Sequence, residues 1–154
     1  MAITPNPYSV VTAAAGTIPD GVAGTGTISV VAGYLNIVKG VGTAFLTEVT
    51  KSENTKGTAW IYITANKELL EVIGVANNTT LRVNGNFTAV AGTAYKIVRK
   101  HFREVHVQNT AGAVTVNGQA LVAAQNTLKF KVKGKQVDPI KYDAGGTIAI
   151  QTQI

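Results

Sequence analysis

The chain's two histidines, His101 and His106, lie in one short stretch, HFREVH, together with Arg103 and Glu104. Imidazole beside carboxylate is the raw material of general acid–base catalysis and of metal ligation. Nucleophilic catalysis needs a nucleophile, a base and an orienting group in contact, so any triad-type site in this chain has to be built here. An offset of five puts the two histidines on opposite faces of a regular strand, whereas Glu104 and His106 share a face. A metal centre would need a third ligand from elsewhere, and the nearest acids have no recognisable ligand spacing. The remaining acids, Asp20, Glu48, Glu53, Glu68, Glu71, Asp138 and Asp143, are scattered beside turns, and nothing in their spacing favours the paired carboxylates of a glycosidase. The glycines at 24, 26, 40 and 42 lie in AGTGT and KGVGT, which look like fragments of phosphate-binding loops. Neither has the full pattern or opens a helix, so both read as tight turns. No catalytic residue, metal or cofactor is expected, and the histidines read as surface or interface residues.

What remains is charge. In LKFKVKGK, residues 128 to 135, Lys129, Lys131, Lys133 and Lys135 alternate with Phe130 and Val132. In an extended chain this places four lysines on one face and the apolar pair on the other. A second cluster, Lys96, Arg99, Lys100 and Arg103, is accompanied by Tyr95 and Phe102. Three readings apply: a solvated strand face that discourages edge-to-edge aggregation, a docking surface for an acidic protein, or a nucleic-acid site in which phosphate contacts and stacking combine. The net charge of +6 is one-sided: residues 1 to 95 carry five basic and five acidic side chains, residues 96 to 154 nine and three.

The elements that must hold these residues are short strands. TISVV, LNIVK, AWIYIT, LLEVIGV, TTLRV and AYKIVR, then HFREVHVQN, AVTVNGQALV, NTLKFKVKG and GTIAIQTQI, are rich in β-branched or aromatic residues. They are separated by Gly, Asn and Thr punctuation. So dense a set of turns predicts an all-β fold, an antiparallel barrel or sandwich, since parallel strands need longer crossovers. Helix is expected only within residues 42 to 54, with Thr43 as cap and Phe45, Leu46 and Val49 facing inward. Residues 1 to 22, with Pro5, Pro7 and Pro19, read as an extended N-terminal arm whose Ile3, Tyr8, Val10 and Val11 dock on a neighbouring subunit. Two β lobes follow, 23 to 99 and a basic 100 to 154.

Composition bounds the rest. A chain of 154 residues buries a real core without staples, and the absence of cysteine excludes disulfides and thiolate metal sites. No Lys or Arg precedes Lys39, so no secretion signal is expected, and no apolar run approaches a membrane span. Charged residues make up 14% of the chain against about 25% in typical soluble domains. Neighbouring copies or a partner are therefore expected to cover apolar surface.

GTGTISVVAGYLNIVKGVGTAFLTEV, residues 24 to 49, and ELLEVIGVANNTTLRVNGNFTAVAGTAYKIV, residues 68 to 98, resemble a small β module that recurs in structural proteins of tailed bacteriophages. Gly40, Gly42, Thr43, Ala44, Phe45 and Glu48 fill its GTGTAF turn, with Val41 in place of the usual small residue. Asn78 to Leu81 fill the next turn, and Tyr95 to Ile97 the closing strand. VQNTAGAVTVNG and KQVDPIKYDAGGTIAI are similar to the C-terminal module of small virion proteins. The resemblance implies a non-enzymatic virion structural protein on the capsid surface, made in the host bacterial cytoplasm. It would be a head decoration (auxiliary capsid) protein that binds the major capsid protein as a homo-oligomer, a trimer favoured, without membrane or nucleic acid. The same modules occur in neck and tail connectors and fibre bases. Two further readings are a nucleic-acid-binding domain built on Tyr95, Lys96, Arg99, Lys100, Phe102 and Arg103, and a carbohydrate-binding domain on the particle surface built on Trp60, Tyr62 and Tyr34.

Overall fold

The computed structural model describes residues 9–12, 15–49, 59–100, 102–121, 127–133, 135–144 and 147–153. The architecture is all-β, with antiparallel sheets that do not close into a barrel and pack as in a sandwich. Strands β1 (Ser9–Thr12) and β2 (Ala15–Ile18) open the chain. A block of eight strands and one helical turn follows: β3 (Val22–Ala23), β4 (Thr27–Val30), β5 (Ile37–Val41), α1 (Phe45–Glu48), β6 (Ala59–Ile63), β7 (Glu68–Asn77), β8 (Thr80–Val83), β9 (Val90–Thr93) and β10 (Tyr95–Arg99). Then come β11 (Glu104–Ala111), β12 (Val114–Val116), β13 (Gln119–Leu121), β14 (Thr127–Lys131), β15 (Ile140–Ala144) and β16 (Thr147–Gln153). The chain divides into two compact units, residues 20–99 and a second unit to which both ends of the chain contribute.

In the 20–99 unit the strands pair in the order β3-β10-β6-β7-β8-β5-β4-β9. Period-2 alternation sends Ile28 and Val30, Val38, Ile61 and Ile63, Leu81 and Val83, and Tyr95 and Ile97 into one core with Phe45 and Phe87. Residues from both ends of the pairing order meet in that core, so the sheet bends over it. Register shifts between Val72 and Gly74 and between Val75 and Asn77 supply two bulges on β7, which increase twist and bend a strand.

The turns that carry the phage-module resemblance converge on one polar clasp. Tyr95 is 2% exposed, and its ring meets Phe45 edge-on at a centroid distance of 5.7 Å. Its hydroxyl donates to Glu48 Oε2, and also lies 3.0 Å from the Thr25 carbonyl. The other carboxylate oxygen, Glu48 Oε1, accepts from Thr25 N and Oγ1, both at 2.8 Å. Gly24 has to be glycine, because a Cβ there would sit inside the Tyr95 ring. Gly26, at φ 71°, would drive a Cβ into the Val41 carbonyl.

The helical turn differs from expectation. It runs only over Phe45–Glu48, and residues 50 to 54 of the expected segment lie outside the described residues. Phe45 and Val49 are buried as expected, but Leu46 is exposed. Thr43 does not cap it: its hydroxyl donates to the Asn78 carbonyl. The caps come from the β7–β8 turn, where Asn78 O accepts from Phe45 N at 3.3 Å and Asn78 Oδ1 accepts from Leu46 N at 3.0 Å. Asn77 Oδ1 in turn accepts from Thr79 N and Oγ1, which fixes that turn. The LLEVIGV segment is strand, within β7, and Asn66 and Lys67 form the turn before it.

The second unit is a pair of four-stranded sheets, β1-β16-β11-β14 and β13-β12-β15-β2, over a core that includes Val105, Val107 and Ile148 from the first and Ile18, Val116 and Ile140 from the second. β12 and β13 form a two-residue hairpin at Asn117-Gly118, both with positive φ, as such turns require. Asn109, wholly buried at a bulge, donates to the Gly112 and Leu121 carbonyls and accepts from Ala111 N. The expected N-terminal arm is extended, but its described part forms two edge strands of this unit. Val10 and Val11 pair with Ala149 and Ile148 of the same chain, and β2 pairs with β15. Ile3 and Tyr8 lie outside the described residues.

Tyr95→Phe keeps the ring and removes the hydroxyl that Glu48 accepts. It should lower the stability of the 20–99 unit by about 1.5–3 kcal/mol, the range for hydrogen bonds to charged groups. Urea unfolding followed by Trp60 fluorescence reports this unit, because Trp60 is the single tryptophan. Unchanged stability would show that the hydroxyl does not hold the clasp. Burial, followed by the Glu48 hydrogen bond and charge, raises the Tyr95 pKa above its ordinary 10.0. A raised folded-state value means that the stabilisation is fully present below pH 10.0 and is lost as pH rises beyond it. The wild type should therefore lose stability above pH 10.0 more steeply than Tyr95→Phe.

Candidate functional site

Alternation along EVHVQN turns Val105, Val107 and Asn109 into the core and leaves Glu104, His106 and Gln108 on the opposite face of β11. Along β14, Leu128 and Phe130 pack against the same core while Lys129 and Lys131 face outward. The register pairs Glu104 with Lys131 and His106 with Lys129, so four ionisable side chains come together on one sheet face. His106 Nε2 lies 2.6 Å from Glu104 Oε1, with Lys129 Nζ at 3.8 Å from that oxygen and Lys131 Nζ at 3.6 Å from Oε2. Glu104 and His106 are largely covered, with 16% and 21% of their side chains exposed, whereas Lys129 and Lys131 keep 62% and 63%.

The hydrogen bond from His106 lowers the Glu104 pKa most; burial opposes it, and the charges of Lys131, His106 and Lys129 add to the lowering. Glu104 is therefore ionised at neutral pH. It offsets part of the lysine charge, and the patch stays net positive: two lysines against one carboxylate. Such an arrangement steers and docks anionic surfaces.

The four-lysine stripe is shorter than the alternation predicts. β14 ends at Lys131, Val132 and Lys135 form an isolated bridge, and Lys133 sits in the turn between them. Val132 is 49% exposed rather than inward-facing. Lys133 and Lys135 are exposed and add positive charge beside the patch without continuing the strand. The reason is local: the KG pair at 133–134 is a turn signal that ends the extended run.

The other basic cluster does not come together as a stacking site. Tyr95 is in the core, and Phe102 packs against the core of the second unit. Lys96 pairs with Asp20 at 3.1 Å and Lys100 with Asp138 at 3.0 Å. Arg99 Nη2 donates to the carbonyls of Glu48 and Val49, so it fastens the end of α1 to β10. Arg103 is exposed. The proposed sugar platform is likewise interior: Tyr62 is 2% exposed and clusters with Trp60, Leu69 and Val98, while Tyr34 is exposed on a different strand connection. Among the described residues no group of three His, Cys, Asp or Glu could hold a metal ion, and no helix is long and apolar enough to cross a membrane.

Because the Glu104 pKa is depressed in the folded state, its stabilisation is present above the ordinary 4.5 and is lost as pH falls through the lowered folded value. Glu104→Gln should therefore flatten the acid limb of the second unit's stability curve, measured by urea unfolding with far-ultraviolet circular dichroism over a pH series. An acid limb identical to wild type would remove Glu104 from the account. No family model, no curated protein and no solved structure matches this chain.

Proposed function

We propose that this chain is a non-enzymatic virion structural protein of a tailed bacteriophage, a decoration protein that binds the exterior of the major capsid shell as an oligomer and stabilises it. The observation that carries the reading is the convergence of the motif residues. Thr25, Phe45, Glu48 and Tyr95, drawn from the segments that resemble phage β modules, meet in one clasp of the 20–99 unit, and Asn78 caps the start of the same helical turn. That contacts between these segments hold the unit together is what supports reading them as one module. The positive patch of Lys129 and Lys131, extended by Lys133 and Lys135, supports attachment to an acidic shell.

The test is rebinding of the purified chain to phage heads that lack it, followed by co-sedimentation across a salt series. Replacing Lys129, Lys131, Lys133 and Lys135 by glutamine removes their charge without crowding carboxylates around Glu104. It should weaken binding about tenfold or more, the equivalent of roughly 1.4 kcal/mol, and flatten the salt dependence. Wild-type attachment by this variant would take the lysines out of the mechanism. Binding to isolated necks or tails but not heads would move the same protein to a connector.

A further inference from the structure

Six large apolar side chains stand exposed among the described residues, and three of them, Val31 (56%), Tyr34 (65%) and Val41 (76%), belong to one stretch of the 20–99 unit. Val38 points into the core, so Ile37, Lys39 and Val41 occupy the outer face of β5. The register continues that face sideways: Ile37 pairs with Arg82 and Lys39 with Thr80 on β8, while Val41 pairs with Thr27 on β4. Two shallow grooves run across it. One, of about 370 Å³, is lined by Ile37, Ile73, Val75 and Arg82 among others; the second, of about 300 Å³, by Val31, Tyr34, Ile37 and Lys39. Ile37 lines both, so they form one elongated apolar track.

The charges on this track all have one sign. Lys39 is exposed and donates to Thr80 Oγ1 at 3.2 Å. Arg82 is exposed and has no hydrogen bond or ion pair among the described residues. Among the described residues no acidic side chain lines either groove. A second copy seated face to face through a two-fold axis would bring the Lys39 and Arg82 side chains of both copies onto one interface, with no carboxylate lining the track among the described residues. The complementary occupant presents apolar side chains and carboxylates together, and an arginine fork is suited to taking a carboxylate in two parallel hydrogen bonds.

We infer that this face docks an extended acidic segment of a partner protein, its apolar side chains seated over Tyr34 and Ile37 and its carboxylates on Lys39 and Arg82. The inference is independent of the role proposed for Lys129 to Lys135, which lie in the other unit. An apolar patch rimmed by charge is the usual mark of an interaction site, and alternating side chains of an extended segment match a track of this shape.

The experiment is a ¹H–¹⁵N NMR titration of the full chain with a synthetic peptide of alternating leucine and glutamate, with an alternating leucine–lysine peptide as control. In the Lys129→Gln with Lys131→Gln background, which removes the other basic patch, binding of the leucine–glutamate peptide and not of the lysine peptide, with shift changes confined to residues 31–41 and 73–82, is the expected result. Adding Lys39→Gln with Arg82→Gln should raise its Kd about tenfold, the loss of roughly 1.4 kcal/mol of interaction. These positions are exposed, so the variants should keep the wild-type fold, checked by circular dichroism. Equal binding of the lysine peptide, shifts elsewhere, or no shifts would overturn the inference. So would a dimer in sedimentation that Tyr34→Ser disperses, which would assign the face to a second copy.

Discussion

Burying a tyrosine hydroxyl is costly unless it finds a partner, and in the 20–99 unit that partner is the carboxylate of Glu48. Because Glu48 also accepts two hydrogen bonds from Thr25, the bond that satisfies Tyr95 simultaneously fixes the loop before β4 and the end of α1. Asn78 then holds the start of α1 to the β7–β8 turn, and Arg99 ties its far end to β10. Four segments far apart in sequence are thus fixed by a few polar groups, with Arg99 Nη1 buried and without a hydrogen-bond partner among the described residues. The apolar residues of the bent sheet can pack in one way only once these segments are in place. Loss of the carboxylate would leave Tyr95 only the Thr25 carbonyl as acceptor and release the two Thr25 donors, breaking the link between the loop before β4 and α1.

The second unit uses the same device with an amide. Asn109 is wholly buried, and its side chain closes the end of β11 onto the strand at Leu121. The antiparallel register of β11 and β14 brings Glu104 and His106 beside Lys129 and Lys131, so the charge pattern on this face follows from the strand pairing. The lysines stay exposed because a single carboxylate, largely covered, anchors them from beneath.

Much of this was legible from residue order. Period-2 runs bounded by Gly, Asn and Thr identified most of the strands, because these signals act over two or three neighbours, but AVTVNGQALV, read as one strand, is the β12–β13 hairpin turning at Asn117-Gly118. Non-local contacts were not legible. Thr43 looks like a helix cap, but the acceptors that organise α1 belong to Asn78, 32 and more positions away. Lys96, Arg99, Lys100 and Arg103 read as a free basic cluster, yet three of them are engaged by groups from other parts of the chain. The alternation in LKFKVKGK was sound for Lys129 and Lys131 and failed at Val132, where the chain turns back. The apolar track beside Lys39 and Arg82 escaped notice because its members are spread over several strands and only the sheet register collects them.

The clasp of the 20–99 unit and the positive patch of the second unit are the features on which the proposed capsid-binding role rests. The most direct measurement of that role is antibody-gold labelling of purified phage particles, viewed by electron microscopy with an antibody raised against this chain. The account predicts gold spread over the heads. Gold confined to the neck or tail, or none on particles whose epitope is shown to be accessible, would contradict it.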